Sequence, residues 1–280
     1  MEIFMAAALT AVVISGCVGE KRPPEGTTAR AMETEKSSGE EDGGMTAAVT
    51  PDVSAYAGQL ALISSLCETW TAEETDGEHY VCAVTDLNRN GRLEIIDSSN
   101  QGTGLYTYSQ YYEVNENGDG LVHLRKTTPE GDSEADISSF DQAPVYYDEG
   151  TGRYSCIFED VVRNGAAEHY YNVRALWLED GKVMEELLAR KSVIWEDENH
   201  QIVTCEDALG KPITEKDYDE AAANRFSGQK AMTLKLRWVS ADDLLNSYAP
   251  ELSMGDLSEK NRDLLLENSL HGFSMEEGKN

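Results

Sequence analysis

The most chemically specific stretch of this chain is Asp86-Leu87-Asn88-Arg89-Asn90-Gly91-Arg92-Leu93-Glu94. Oxygen-bearing side chains stand at its first, third, fifth and ninth positions, and glycine at the sixth, where a tight loop turns sharply. Arg92, at the seventh, offers its main-chain carbonyl. A hard cation such as Ca²⁺ takes about six to eight oxygens at roughly 2.3–2.6 Å, and alternate residues on a tight loop bring such a set to one centre. Asp97 at the twelfth position completes an EF-hand spacing with Asp where Glu is usual. The flanks nevertheless read as strands, Val81 to Val84 before the loop and Leu93, Ile95 and Ile96 after it. A strand–loop–strand unit is therefore expected, not a helix–loop–helix one. The same residues also suit a metal-free hairpin turn, because Asp and Asn bond their own backbone and Gly91 accepts a positive φ. Spacing alone leaves both readings open. Asn115-Glu116-Asn117-Gly118-Asp119-Gly120 has half the pattern but carries His123 at the ninth position, and is expected to be a plain turn.

A second candidate site is aromatic. On a strand Tyr106, Tyr108 and Tyr112 share one face, with Tyr111 on the other. An exposed tyrosine row would stack on sugars or a peptide, whereas a buried one is simple packing. The remaining residues offer little chemistry. The five histidines fall singly, and there is no H-E-x-x-H, G-x-S-x-G, Walker A or G-x-G-x-x-G pattern. Abundant carboxylates leave room for a glycosidase pair, but nothing in the spacing selects one.

Charge narrows the partners. The chain carries 52 acidic against 23 basic residues in 280, a net charge of −29. Nucleic-acid binding needs a basic face to displace counterions, and no basic run here is longer than Lys21-Arg22. Nucleic acid is excluded as a partner, and so is electrostatic docking on anionic lipid.

The N-terminus points outward. An apolar run over 3–14 is about twelve residues, too short to span a bilayer, which takes about 20. It has the length of a signal-peptide core, and it ends in Ile14-Ser15-Gly16-Cys17. Small residues directly before a cysteine resemble the lipobox of bacterial lipoproteins. The resemblance implies that 1–16 is removed, that Cys17 is diacylated, and that the chain stays on the extracytoplasmic face of the plasma membrane. The first five residues hold Glu2 and no Lys or Arg, which suggests that the true start lies upstream. Residues 17–50 are rich in Glu, Gly, Thr, Ser and Pro and are expected to form a disordered tether of roughly 30 Å. Seven acids and four bases fall in 18–50, and Glu2 in the leader, which leaves 44 acids and 19 bases in 51–280. The acidity thus belongs to the single domain expected over 51–280.

The 86–94 loop with its flanks is similar to the strand–loop–strand D-x-D-x-D-G-x-x-E segments of extracellular proteins, including integrin-type propeller blades. It most resembles the version in lipoproteins of Gram-positive bacteria for which no activity is established, and Gln101-Gly102-Thr103-Gly104-Leu105-Tyr106 continues the likeness. Carried over, the resemblance implies Ca²⁺ held by the side chains of Asp86, Asn88, Asn90 and Glu94. The two asparagines and the neighbouring Arg89 and Arg92 weaken the expected affinity.

Beyond Cys17 the chain holds Cys67, Cys82, Cys156 and Cys205. An even number in an exported protein permits two disulfides, and buried thiols suit the same positions equally. The wide spacing without C-x-x-C argues against zinc.

These residues must be held by a framework, and the pattern predicts one. Tyr56, Leu60, Ile63, Cys67 and Trp70 recur at helical spacing, so a helix is expected over 52–70. Strands are expected over 80–85, 93–98, 104–114, 121–126, 145–147, 154–162, 170–179 and 183–195, the last two joined by the hairpin signal Asp180-Gly181. A helix over 214–226, a strand over 234–239, and helices over 240–248 and 256–270 follow. The fold class is α+β, mostly an antiparallel β meander with an N-terminal helix and C-terminal helices. The expected function is a membrane-tethered, non-enzymatic binding or interaction module for an unidentified extracellular ligand or protein, with Ca²⁺ in a structural role. The alternative is an extracellular hydrolase of glycans or peptides.

Overall fold

A computed structural model describes residues 52–71, 80–101, 106–127, 137, 140–197, 200–240 and 258–277. All lie in the second of the two units into which the chain divides, Met45–Asn280. The leader, the lipidation of Cys17 and the tether, all expectations from the sequence, lie outside the described residues, as does the expected helix over 240–248 beyond Ser240. No described helix is long and apolar enough to cross a membrane.

The first helical stretch is capped by Asp52, whose carboxylate accepts the Ser54 amide at 3.1 Å. It runs as a 3-10 turn, Val53–Tyr56, then α1, Ala57–Ser65, then α2, Cys67–Trp70. The single helix expected over 52–70 is broken at Leu66, where the chain leaves helical geometry at φ −102, ψ 22. The break turns Trp70 back so that its indole N–H donates to the Ile63 carbonyl at 2.9 Å, burying both side chains.

Four strands follow as an antiparallel meander: β1 (Tyr80–Thr85), β2 (Glu94–Gln101), β3 (Tyr106–Val114) and β4 (Leu121–His123). The strand expected over 121–126 is in fact two. Leu124 interrupts it, and β5 (Arg125–Thr127) leaves this sheet to pair in parallel with a later strand. The second sheet has nine strands. Its centre is a meander of β6 (Gln142–Asp148), β7 (Arg153–Asn164), β8 (Glu168–Glu179), β9 (Lys182–Asp197), β10 (His200–Asp207) and β11 (Pro212–Ile213). Beyond β6 lie β12 (Lys230–Lys235) and β13 (Ser274–Glu277). The turn between β8 and β9 has φ of 50° at Asp180 and 70° at Gly181, the left-handed pair that an Asp-Gly hairpin favours. The molecule is thus mostly antiparallel β with helices attached, as composition and pattern predict; β10, β11 and β13 are additional to the expected strands, and the strand expected over 234–239 lies earlier, ending at Lys235.

Alternation along β7 and β8 splits their side chains between two faces. Cys156, Phe158 and Leu176 join the main core, together with Leu60 and Ile63 of α1, Ile96 and Tyr112 of the first sheet, and Leu265, Leu266 and Leu270. The last three belong to α5, Glu259–Gly272, which begins and ends close to the expected 256–270. Ile157 and Ala175 face the other way and are covered by Phe226. Phe226 follows α3 (Glu215–Asp219) and α4 (Ala221–Arg225), two short helices where one was expected over 214–226. Thr214 with Asp217 three residues on is a capping-box-like start in the sequence, and the box is formed at the start of α3.

The two sheets are joined at the edge of β1. Cys82 and Val239 exchange main-chain hydrogen bonds of 2.8 and 2.9 Å, and Ser269 Oγ of α5 accepts the Val84 amide at 2.9 Å. All four described cysteines are buried thiols outside any disulfide, which decides between the two expectations. Burial pushes the Cys156 thiol up to about 12.

Candidate metal centre

The 86–94 loop connects β1 to β2, the strand–loop–strand unit expected from its flanks. Its turn is built from asparagine and aspartate side chains. Asp86 Oδ1 accepts the Gly91 amide at 3.3 Å, Asn88 Oδ1 accepts the Asn90 amide at 3.0 Å, and Asn90 Oδ1 accepts the Arg92 amide at 2.7 Å. Gly91 has φ +82, so glycine is needed there for conformation. Asn88 and Asn90 Oδ1 each keep an acceptor lone pair, so these bonds do not exhaust them.

Buried acid surrounds this turn. Asp86 is 3 % exposed and Glu94 is 0 %. Glu94 Oε2 accepts the Thr85 hydroxyl at 2.9 Å and the Leu87 amide at 2.8 Å. Its other oxygen, Oε1, is buried and has no hydrogen-bond partner. Burial above all, and then the Asp86 charge, raise the Glu94 carboxyl well above the usual glutamate range, and Glu113 adds to the shift. Burial also raises Asp86, opposed by hydrogen bonds from Tyr56 and the Gly91 amide and by the Arg89 charge.

Three residues outside the loop complete the site, and spacing gave no sign of them. Glu113 on β3 stands opposite Glu94 in register. It accepts the side-chain amides of Asn88 and Asn90 at 3.3 and 2.7 Å and Arg92 Nη2 at 2.7 Å. From the N-terminal helical stretch, the Tyr56 hydroxyl donates to Asp86 Oδ2 at 3.2 Å. Gln59 uses both atoms of its amide: Nε2 donates to the Gly91 carbonyl and Oε1 accepts the Leu93 amide, each at 2.8 Å.

The donors present suit a hard cation in kind. They are the carboxylates of Asp86 and Glu94, the amide oxygens of Asn88 and Asn90, and the Arg92 carbonyl, and one of these carboxylates has a buried oxygen lacking any partner. Among the described residues no three His, Cys, Asp or Glu side chains converge as a metal-holding group, so amide and main-chain oxygens would have to supply most of any cation's shell. Asp97 is not among the candidates. It lies on β2 three residues beyond Glu94, hence on the opposite face of the strand.

Tyr106 and Tyr108 lie on β3, in register with Gln101 and Ser99. Tyr112 is 4 % exposed and stacks on His123 with ring centroids 4.6 Å apart, a packing role. A cavity of about 230 Å³ lies on β8 to β10, its lining including Tyr170, Asn172, Lys191, Ser192, Thr204 and Glu206. Its floor is partly satisfied within the sheet: Tyr170 donates to Glu168 at 3.1 Å, Asn172 to Asp160 at 3.4 Å, and Ser192 and Thr204 share a bond of 2.5 Å.

No family model and no curated protein matches the chain. Among solved structures it is similar to a chain described as a Xanthomonas type IV secretion system related protein, at 12 % identity and a TM-score of 0.28. That similarity covers 51 % of this chain and 61 % of the other.

Proposed function

We propose that this protein is a lipid-anchored extracytoplasmic lipoprotein whose β-rich domain is a non-enzymatic binding or interaction module, stabilised by Ca²⁺ in the 86–94 loop. Support for the anchor is Ile14-Ser15-Gly16-Cys17 at the end of a short apolar run, followed by a polar, proline- and glycine-containing stretch.

The observation that carries the metal reading is the Glu94 side chain. It is fully buried, stands beside Asp86 and opposite Glu113, and keeps one oxygen without a partner. A buried carboxylate in that position is costly unless a proton or a cation balances it. Ca²⁺ bound to Asp86, Asn88, Asn90, Glu94 and the Arg92 carbonyl would supply that balance without disturbing the hydrogen bonds that shape the turn. The metal is structural in this reading: it closes the β1–β2 connection and stiffens the sheet that carries β3.

Calorimetry on the full chain tests the metal. The expected result is a Ca²⁺ binding heat and a melting temperature that rises with Ca²⁺ and falls again with EDTA. No heat and an unchanged melting temperature would remove the metal from the proposal. Incorporation of labelled palmitate in a bacterial host, lost in Cys17→Ser, tests the anchor separately.

A further inference from the structure

We infer that Gln59 and Tyr56 are positioning residues of the cation loop, and that Ca²⁺ binding is thereby coupled to the docking of the first helix of the domain. This rests on the metal reading above and extends it to how the site is assembled.

The geometry is specific. The two Gln59 hydrogen bonds, both 2.8 Å, fall on Gly91 O and Leu93 N and so bracket Arg92. Arg92 is the residue whose main-chain carbonyl stands at the seventh loop position. A side-chain amide that grips the residues on either side fixes the two peptide planes and with them the direction of that carbonyl. The loop's own Asp86, Asn88 and Asn90 side chains bond the Gly91, Asn90 and Arg92 amides, while Gln59 bonds the Gly91 carbonyl and the Leu93 amide. Tyr56, three residues before Gln59, donates to Asp86 Oδ2 at 3.2 Å. The first and seventh positions of the loop are therefore both set from one short helical stretch, residues 53–65.

The same stretch is anchored in the core by apolar side chains, and the Trp70 indole donates to its Ile63 carbonyl. Leu60 and Ile63 are buried in the main core, and α1 packs on α5. Spacing puts Tyr56, Gln59, Leu60 and Ile63 on one helix face. Docking the helix therefore presents Tyr56 and Gln59 to the loop in the same motion that buries Leu60 and Ile63. Partners that orient metal ligands commonly alter metal affinity roughly 10- to 100-fold when removed. Linkage makes the effect reciprocal: if the docked helix tightens Ca²⁺ binding by some factor, Ca²⁺ favours the docked helix by the same factor. On the proposed topology this helix is the first element after the tether, so cation occupancy would secure the point where the anchor enters the fold.

The test uses the full chain, with Ca²⁺ and luminescent Tb³⁺ as probes. Gln59→Leu keeps the size of the side chain and removes both hydrogen bonds; Tyr56→Phe removes only the hydroxyl. Ca²⁺ affinity, read by displacement of Tb³⁺, is expected to fall roughly 10- to 100-fold in Gln59→Leu and by less in Tyr56→Phe. In the unaltered protein, Ca²⁺ should slow amide hydrogen exchange across 57–65, and this protection should be lost in Gln59→Leu. The exchange measurement on the unaltered protein needs no variant, so a variant that fails to fold leaves the inference open to refutation. Equal affinities together with exchange at 57–65 that ignores Ca²⁺ would overturn the coupling while the metal reading stands. If the unaltered protein binds neither Ca²⁺ nor Tb³⁺, the metal reading itself falls, and the coupling with it.

Discussion

Glu94 and Glu113 face each other across β2 and β3, and both are buried, at 0 % and 5 % exposure. Like charges directly opposite on neighbouring strands repel. Here the two carboxylates divide the loop between them. Glu113 takes the outer donors, Asn88, Asn90 and Arg92, while Glu94 takes the inner ones, Thr85 and Leu87.

Removing the outer acceptor should loosen the turn. Glu113→Ala leaves two amides and a guanidinium without their shared partner. Arg92 retains a contact with Glu116 and is about a third exposed, so the loss is expected at about 2 kcal/mol. Denaturant unfolding of the variant in EDTA measures it. Glu113→Gln, which keeps an acceptor oxygen, should lose less.

The metal-free protein should lose stability as pH rises through the titration of Glu94. Its folded-state carboxyl lies well above the ordinary value of 4.5, so the folded protein holds the proton more tightly than the unfolded chain does. The associated stabilisation is full below the unfolded value and fades as pH climbs through the folded one. Melting temperatures in EDTA between pH 4 and 8 should fall faster for the unaltered protein than for Glu94→Gln. General acidic repulsion is common to both and cancels in the difference.

Calcium should displace that proton. Binding near the folded-state pKa then releases H⁺, so the calorimetric heat will depend on the ionisation enthalpy of the buffer. Glu94→Gln should show neither the heat nor the buffer dependence.

Gly91 tests the turn without touching a donor. Nothing lies within 4 Å of where its Cβ would be, and φ is +82. Gly91→Ala should therefore cost about 1 kcal/mol from backbone strain alone, seen as a drop of about 2–4 °C in melting temperature.

The four buried cysteines should be silent in the native state. A thiol with its pKa at about 12, as at Cys156, presents almost no thiolate at pH 8. Iodoacetamide should label Cys67, Cys82, Cys156 and Cys205 only after denaturation, and without prior reduction. Labelling that required a reductant would mean the thiols pair.

The amino-acid order by itself determined what depends on neighbours in the chain. Periodicity marked the strands that meander, Asp180-Gly181 marked the β8–β9 turn, and Thr214 with Asp217 marked a helix start, because each signal is complete within a few residues. The 86–94 loop was legible for the same reason: its Asx turns and its glycine lie within nine positions. Tertiary structure decided what depends on distant segments meeting. Leu66 interrupts a continuous helical pattern, and Trp70 folds back on Ile63. β5 crosses to pair with β9, where buried Glu185 holds Lys126 at 2.6 Å and also Arg174. Parallel pairing of that kind leaves no local trace. Gln59, Tyr56 and Glu113 reach the loop from 21 to 34 residues away. A short loop can name its own candidate ligands, but their burial and orientation belong to whatever packs against it. Here that is one helix face and the neighbouring strand.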